Sequence, residues 1–167
     1  MKAVKLLPVL LVALFLFGQS EEAEAQVSFG PQVAFWDFEE MAAGGKVQFG
    51  LGDAFGIEEG FFEDLFGSFD ANYVFGFGDA TALLFNVNAG VPFDVDAAVT
   101  PYAGLGINHW RVSGGDDFMG FSVSASGLNL LGGLEFDLGA VPGYAQMAYS
   151  TSGAGFLTLS AGVLFGN

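Results

Sequence analysis

The segment Phe156-Leu-Thr-Leu-Ser-Ala-Gly-Val-Leu-Phe-Gly-Asn167 decides the fold of this chain. Leu, Ala, Val and Phe occupy every second position of the segment, whereas Thr158, Ser160 and Gly162 lie between them. Because successive side chains of a β-strand point to opposite faces, this period of two predicts a strand with one apolar face. Such a strand can separate lipid from the interior of a barrel.

The same alternation recurs along the chain, between clusters of Gly, Asp, Asn and Pro that are typical of turns. It predicts eight strands, and we find no pattern of a long amphipathic helix. An even number of strands brings both chain ends to the same side of a closed barrel. The predicted strands are Val27–Trp36, Gly45–Leu51, Ser68–Phe77, Thr81–Val91, Val99–Val112, Ser124–Asp137, Tyr144–Thr151 and Phe156–Phe165.

The composition of the two faces distinguishes a membrane barrel from a soluble one. The polar face is mostly small or amide-bearing, as with Gln48 opposite Val47 and Phe49 in the second strand. A surface that faces water would carry many Lys and Glu residues. Most carboxylates lie instead in the connections, where charge costs least. We therefore predict an all-β, eight-stranded, antiparallel up-and-down transmembrane β-barrel.

The connections follow from this layout. With the N-terminus in the periplasm, Asp53–Gly67 is a periplasmic turn of fifteen residues, although such turns are normally short. We expect a short interfacial helix there, built from Phe61, Phe62, Leu65 and Phe66. The expected outer loops are Asp37–Gly44, Gly78–Ala80, Ser113–Val123 and Ser152–Gly155.

The N-terminus has the pattern of a secretory signal peptide. Lys2 and Lys5 precede an apolar run, Leu6–Phe17, and small residues flank a cleavage position after Ala25. The run of twelve residues is too short for a transmembrane helix, which needs about 20. We expect residues 1–25 to be removed, which leaves residues 26–167 as one domain.

The charge of this domain excludes one class of partner. Lys46 and Arg111 are its only basic residues, against sixteen of the nineteen carboxylates of the chain. So acidic a surface repels phosphate backbones, and we expect no nucleic-acid partner.

The sequence contains no pattern that predicts a metal or cofactor site. The chain has no Cys, which excludes disulfides and thiolate ligands. The acidic pairs Asp94/Asp96 and Asp116/Asp117 lack the spacing of a dedicated calcium loop. We therefore expect no metal and no cofactor.

Two charged residues, Lys46 and Glu135, fall on the inward face of the predicted strands, and an enclosed charge needs a partner. We expect them to belong to a polar network that plugs the barrel, because eight strands enclose little more than their own side chains. A narrow polar pore is the alternative. The predicted network comprises Lys46, Gln48, Asn72, Asn86, Asn108, Asn129 and Glu135.

Catalysis would require a nucleophile beside a base. His109 is the only histidine, and Ser113 lies four residues further along the same strand. At ~3.3 Å per residue the two are about 13 Å apart, so they cannot be direct partners. We expect no enzyme, and instead place His109, Trp110 and Tyr102 in a belt at the membrane interface.

Three segments carry a resemblance to a known family: Thr100-Pro-Tyr-Ala-Gly-Leu-Gly-Ile107, Leu131-Gly-Gly-Leu-Glu-Phe136 and Leu159-Ser-Ala-Gly-Val-Leu-Phe165. With them, residues 26–167 resemble the small outer-membrane β-barrel domain family, the OmpA-like and OmpX-like eight-stranded barrels. The pattern Ser160-x-Gly162-x-x-Phe165 resembles the C-terminal signal by which outer-membrane barrels are recognised for assembly. The resemblance implies a bacterial outer-membrane location, a lipid bilayer around the barrel, and contact with the assembly machinery during biogenesis.

We expect a structural or surface-interaction role, and the sequence names no surface ligand. Two alternatives stay open. A lipid A-modifying barrel enzyme would need a base and a nucleophile that converge from different strands. A secreted soluble barrel with a small apolar ligand would need apolar residues at the inward positions of Gln48, Asn72, Asn86 and Asn108.

Overall fold

The computed structural model describes residues 27–55, 57, 59–60, 63–76, 80–95, 98–114 and 122–166 of the 167-residue chain. The predicted signal peptide, residues 1–25, lies outside the described residues. So do Phe61, Phe62, Asp96, Asp116 and Asp117.

Antiparallel strands build one closed sheet within the described residues. Each of the first seven strands pairs with the next along the chain, and the eighth pairs back with the first, so the sheet has no open side. The elements are β1 (Val27–Trp36), β2 (Glu40–Gly50), α1 (Leu51–Phe55), β3 (Phe66–Val74), β4 (Thr81–Pro92), β5 (Val99–Ser113), β6 (Ser122–Asp137), β7 (Pro142–Ser150), β8 (Phe156–Val163) and β9 (Phe165–Gly166). Among the described residues, no helix has the length and apolar character to cross a membrane.

β8 and β9 form one strand whose pairing with β1 is interrupted. Gln32 pairs with Gly162, and Phe29 pairs with Phe165, so the register is the same on both sides of the gap. The gap lies beside Pro31, which has no N–H to donate to a ladder. The described residues therefore form an eight-stranded barrel, which confirms the predicted number of strands.

The strands are staggered around the barrel. If the paired residues are followed from strand to strand, starting at Val27, the path goes once around the barrel. It returns to β1 at Asp37, ten residues further along the chain. This stagger belongs to strands that tilt by roughly 35–45° from the barrel axis. The successive partners are Val27, Phe49, Gly67, Ala89, Leu105, Leu130, Tyr149, Leu157 and Asp37.

The outward face of the barrel is mostly apolar, whereas the polar side chains of the strands mostly face inward. Leu105 is 67% exposed and Leu128 is 64% exposed, whereas Asn129, next to Leu128 in β6, is 3% exposed. A soluble barrel has the opposite arrangement, so these faces are those of a transmembrane barrel, as predicted. The large side chains of the outward band are Phe29, Val33, Phe35, Met41, Phe69, Tyr73, Val87, Leu105, Ile107, Leu128, Leu130, Leu134, Met147, Tyr149, Leu159 and Phe165.

The bounds of β2 and β3 differ most from the predicted ones. β2 begins at Glu40 and not at Gly45, so the first connection spans only residues 37–39. The sequence suggested a longer loop because Ala42, Ala43 and Gly44 are too small to reveal an alternation. In the structure, however, Ala42 is buried and Ala43 is exposed. β3 also begins earlier and ends earlier than predicted, at Phe66 and at residue 74.

The expected interfacial helix is not found at Leu65 and Phe66, and Phe61 and Phe62 lie outside the described residues. The described helix, α1, directly follows β2, and its first residue Leu51 donates its N–H to the carbonyl oxygen of Leu65 at 2.7 Å. Phe66, which we assigned to the helix, instead opens β3 and is buried inside the barrel. The prediction was wrong because an inward-facing Phe at a strand end looks the same in sequence as an interfacial Phe.

Candidate functional site

Asp70 is the centre of a polar network in the middle of the barrel. Its Oδ1 accepts hydrogen bonds from Asn86 Nδ2 at 2.7 Å, Asn72 Nδ2 at 3.1 Å and Gln32 Nε2 at 3.4 Å. Asn86 in turn accepts a hydrogen bond from Asn129 Nδ2 at 2.9 Å. The network thus joins side chains of β1, β3, β4 and β6 across the interior, because every second residue of each strand points inward.

Lys46 of β2 places a cation inside the barrel, where it is 2% exposed. Its Nζ donates a hydrogen bond to Gln146 Oε1 at 3.0 Å, and the hydroxyl of Tyr102 donates to the same oxygen at 3.2 Å. The Nζ atom also lies 4.3 Å from the ring centroid of Tyr144. An amide oxygen and an aromatic face therefore compensate the ammonium group for the water it loses. The Tyr144 hydroxyl donates to Gln32 Oε1, which links Lys46 to the network around Asp70.

The other predicted polar residues form separate contacts. Gln48 Nε2 donates to Glu135 Oε1 at 2.8 Å, and Asn108 Nδ2 donates to Ser152 Oγ at 3.0 Å. All seven residues of the predicted network thus lie in the interior, but in four hydrogen-bonded groups among the described residues. Lys46 and Glu135, which we expected together, take part in different hydrogen bonds.

Sequence reasoning missed Asp70, Gln32, Gln146 and Tyr144. All four occupy inward positions of their strands and are buried. The alternation of β3 already placed Asp70 on the polar face, and that was the available signal. No basic residue lies near Asp70 in the chain. Lys46 lies opposite Asp70 only because β2 pairs with β3.

Apolar side chains fill the interior on both sides of the polar groups. At the end of the barrel opposite the chain termini, Trp36 packs against Phe156 with ring centroids 4.8 Å apart and the rings tilted by 43°. Near the termini, Phe66 meets Tyr102 edge-on at 5.4 Å. Further members of the first cluster are Ala34, Ala42, Val74, Ala82 and Leu84, and of the second Leu131 and Ala148.

The predicted interfacial belt was wrong for two of its three members. Tyr102 is 3% exposed and lies inside the barrel. Trp110 also points inward, with its ring centroid 6.0 Å from that of Trp36. Every second side chain of β5 points inward, and residues 102 and 110 therefore share the inward face with Asn108. His109 alone faces outward and is exposed.

His109 contacts a serine of the neighbouring strand. Its Nδ1 lies 2.9 Å from Ser126 Oγ, and the two residues are directly opposite each other in the β5–β6 pair. Ser113, the serine considered from the sequence, accepts a hydrogen bond from Arg111 Nε at 3.2 Å. The spacing argument from sequence could not reveal Ser126, because cross-strand register is set by the whole hairpin.

Two residues of the predicted assembly signal, Ser160 and Gly162, occupy the inward face of the last strand, and the third occupies the outward face. Ser160 is buried and points inward, and Gly162 pairs with Tyr144. Phe165 points outward, opposite Phe29 of β1. In the described part of the chain, no group of three or more His, Asp or Glu side chains is placed to hold a metal ion.

No protein-family model and no curated protein matches this chain. Solved structures do match. The N-terminal β-barrel domain of Pseudomonas aeruginosa OprF shares 12% identity over 86% of this chain and 100% of that domain, with a TM-score of 0.62. Ail, the attachment invasion locus protein of Yersinia pestis, shares 23% identity over 86% of this chain and 99% of its own, with a TM-score of 0.57.

Neisserial surface protein A matches with 19% identity over 84% of this chain and 94% of its own, at a TM-score of 0.52. A de novo designed transmembrane β-barrel matches with 11% identity over 89% of this chain and 100% of its own, at 0.54. At such identities the likeness shows the fold, that of the small eight-stranded outer-membrane barrels. The resemblance drawn from the sequence is confirmed at this level.

Proposed function

We propose that this protein is a non-enzymatic β-barrel of the bacterial outer membrane, with a structural or surface-interaction role and a plugged lumen. The observation that carries the proposal is the division of the barrel into an apolar outward band and a filled interior. The band matches the hydrocarbon of a bilayer, while barrel closure satisfies the backbone hydrogen bonds. The connections are then the surface available to a partner, whose identity the sequence leaves open.

The location is supported from both ends of the chain. The N-terminal pattern is that of an export signal, and the C-terminal Ser160-x-Gly162-x-x-Phe165 is similar to the signal read by the assembly machinery. Similar solved barrels are outer-membrane proteins. Heat-modifiable gel migration of the outer-membrane fraction tests this location, because folded barrels resist detergent until they are boiled. Recovery of the protein only from the soluble periplasm would overturn it.

The packing of the interior supports a lumen that does not conduct. Asp70 and Lys46 engage neighbouring side chains at 2.7–3.0 Å, and the aromatic pairs Trp36/Phe156 and Phe66/Tyr102 lie above and below them. Eight strands leave little further space. Planar-bilayer recordings should show no steady open level. A reproducible unitary conductance would favour the narrow polar pore.

A lipid A-modifying enzyme is the second candidate, because His109 and Ser126 come from different strands and lie 2.9 Å apart. A catalytic serine also needs its base held by a third group. Within the described residues, the hydrogen bond of His109 is to Ser126 alone. Activity on lipid A that His109→Ala and Ser126→Ala both abolish would replace our proposal. The soluble, ligand-binding barrel fits poorly, because its apolar face would be exposed to water.

A further inference from the structure

A groove of about 430 Å³ crosses the outward surface of β4, β5 and β6. Its apolar part is formed by Val87, Ile107 and Leu128, and its polar end by His109 and Ser126, with Phe85 opposite His109. The volume lies in the range of small-molecule sites. Both ends of the groove lie on the face that the barrel presents to its surroundings, so an occupant reaches it from the membrane.

The groove crosses the edge of the apolar band. On the outward face of β5, positions 99 to 107 are apolar, and His109 is the first polar one. On β6 the change comes at Ser126, directly opposite His109, while Leu128 pairs with Ile107. At ~3.3 Å per residue and a tilt of 35–45°, positions 99 to 107 cover about 20 Å of height, close to the ~25 Å of a membrane barrel. The apolar part of the groove therefore lies among acyl chains and its polar end among headgroups.

A cation stands beside the polar end of the groove. Arg111 occupies the next outward position of β5 after His109, about 6.6 Å further along the strand. Lys46 is enclosed in the barrel, and Lys2 and Lys5 fall in the predicted signal peptide. Arg111 is thus the single exposed basic side chain of the described barrel, in a chain of formal net charge −15. A guanidinium is well suited to phosphate, which it can bind through two parallel hydrogen bonds.

We propose that this groove binds one membrane lipid, with an acyl chain along Val87, Ile107 and Leu128 and a headgroup phosphate held by Arg111. His109 and Ser126 lie between the two parts, where the lipid changes from acyl chain to headgroup. The inference rests on the proposed membrane location. Charge complementarity selects the occupant, because Arg111 is the one exposed cation of the described barrel and lies next to the groove.

Native mass spectrometry of the detergent-solubilised barrel tests the site with an equimolar mixture of dimyristoyl phosphatidylglycerol and dimyristoylglycerol. We expect the wild type to retain one phosphatidylglycerol with about tenfold preference, which corresponds to about 1.4 kcal/mol. Arg111→Gln should abolish the preference, and Arg111→Lys should keep part of it. Inorganic phosphate at the same concentration should not displace the lipid, because it lacks the acyl chain.

A filling variant tests the apolar part. Val87→Phe should reduce retention of both lipids several-fold, whereas Val33→Phe should not, since Val33 has a similar exposure on β1 but lies outside the groove. Unchanged preference in Arg111→Gln, equal effects of both Phe variants, or an open series of bound lipids without a single-lipid species would each overturn the proposal. Heat-modifiable migration is measured on every variant. Its absence in the wild type contradicts the membrane location, while its presence with no lipid preference contradicts this site alone.

Discussion

The carboxylate of Asp70 and the side-chain amide of Asn86 are joined by a 2.7 Å hydrogen bond between β3 and β4, at a point where both residues face the barrel interior. The same carboxylate oxygen also accepts from Asn72 and Gln32. One carboxyl oxygen therefore accepts from three amides, of which Gln32 also donates to Asn72 Oδ1 at 2.8 Å. Without this acceptor the side-chain amides of Asn86 and Asn72 would lose their hydrogen bonds inside the barrel, so we expect Asp70 to contribute strongly to the stability of the polar interior.

Asp70→Ala should lower the free energy of unfolding by about 3–5 kcal/mol, the range for breaking a buried charged contact. Asp70→Asn keeps the shape and one acceptor oxygen, so we expect about half that loss. Urea unfolding in lipid or detergent measures both. Glu39→Ala, in the exposed β1–β2 turn, is the control and should change stability by under ~0.5 kcal/mol. A loss below about 1 kcal/mol for Asp70→Ala would contradict this account.

Lys46→Met should cost about 3 kcal/mol, because Asp70 and Glu135 lose the cation whose charge acts on them. The double variant Lys46→Met/Asp70→Asn removes both charges. We expect it to be more stable than the sum of the single effects predicts, by at least ~1 kcal/mol. Unfolding titrations of all four proteins give this coupling energy. Strict additivity would mean that the two charges do not interact.

Gly30→Ala should prevent normal closure between β1 and β8. A Cβ atom at Gly30 would lie 1.8 Å from the carbonyl oxygen of Val163, which is backbone and cannot move aside alone. We expect a loss of stability of about 2–3 kcal/mol and a lower refolding yield, read from heat-modifiable migration.

Gly132→Ala is the matched control for Gly30→Ala. Its Cβ would have its nearest neighbour, the carbonyl oxygen of Tyr102, at 3.7 Å, an ordinary contact. This variant should fold as well as the wild type, or slightly better, since Ala limits the unfolded chain more than Gly does. Equal refolding of the two variants would show that the β1–β8 contact tolerates a side chain at Gly30.

Phe38→Gly should stabilise the barrel. Phe38 has φ of 62° in the β1–β2 turn, in the left-handed region that costs a non-Gly residue roughly 1–2 kcal/mol. We expect a gain of about 1 kcal/mol in the free energy of unfolding. Phe38→Ala keeps the strain and loses the aromatic ring, so it should bring no gain. A Gly variant less stable than the Ala variant would show that the ring contributes more than the strain costs.

The alternation of side chains was sufficient to predict the fold. Eight segments, inverted faces and closure all follow from a period of two in Val, Leu and Phe, since that period decides which residues meet lipid. Boundaries failed where the alternating residues are small, as in Ala42, Ala43 and Gly44, because Ala and Gly are compatible with either face.

The contacts inside the barrel were less predictable. The inward positions of Lys46 and Glu135 were evident, but the partner of each depends on the stagger between strands. Lys46 therefore meets Gln146, 100 residues away in the chain, and not the expected Glu135. The His109–Ser126 contact could not be predicted for the same reason. A shift of one residue in the register between two strands would place these side chains on opposite faces of the sheet.

The interrupted pairing beside Pro31 has a consequence for the order of assembly. Strands β1 and β8 are far apart in the chain, so bringing them together costs more loop-closure entropy than forming a hairpin. We therefore expect this pair to form last, after the sequential hairpins. Until then both strands are free edges, and free edges recruit other strands into aggregates. The gap shortens the ladder that must form at this step, so fewer backbone hydrogen bonds join β1 to the closing strand than in an uninterrupted pair.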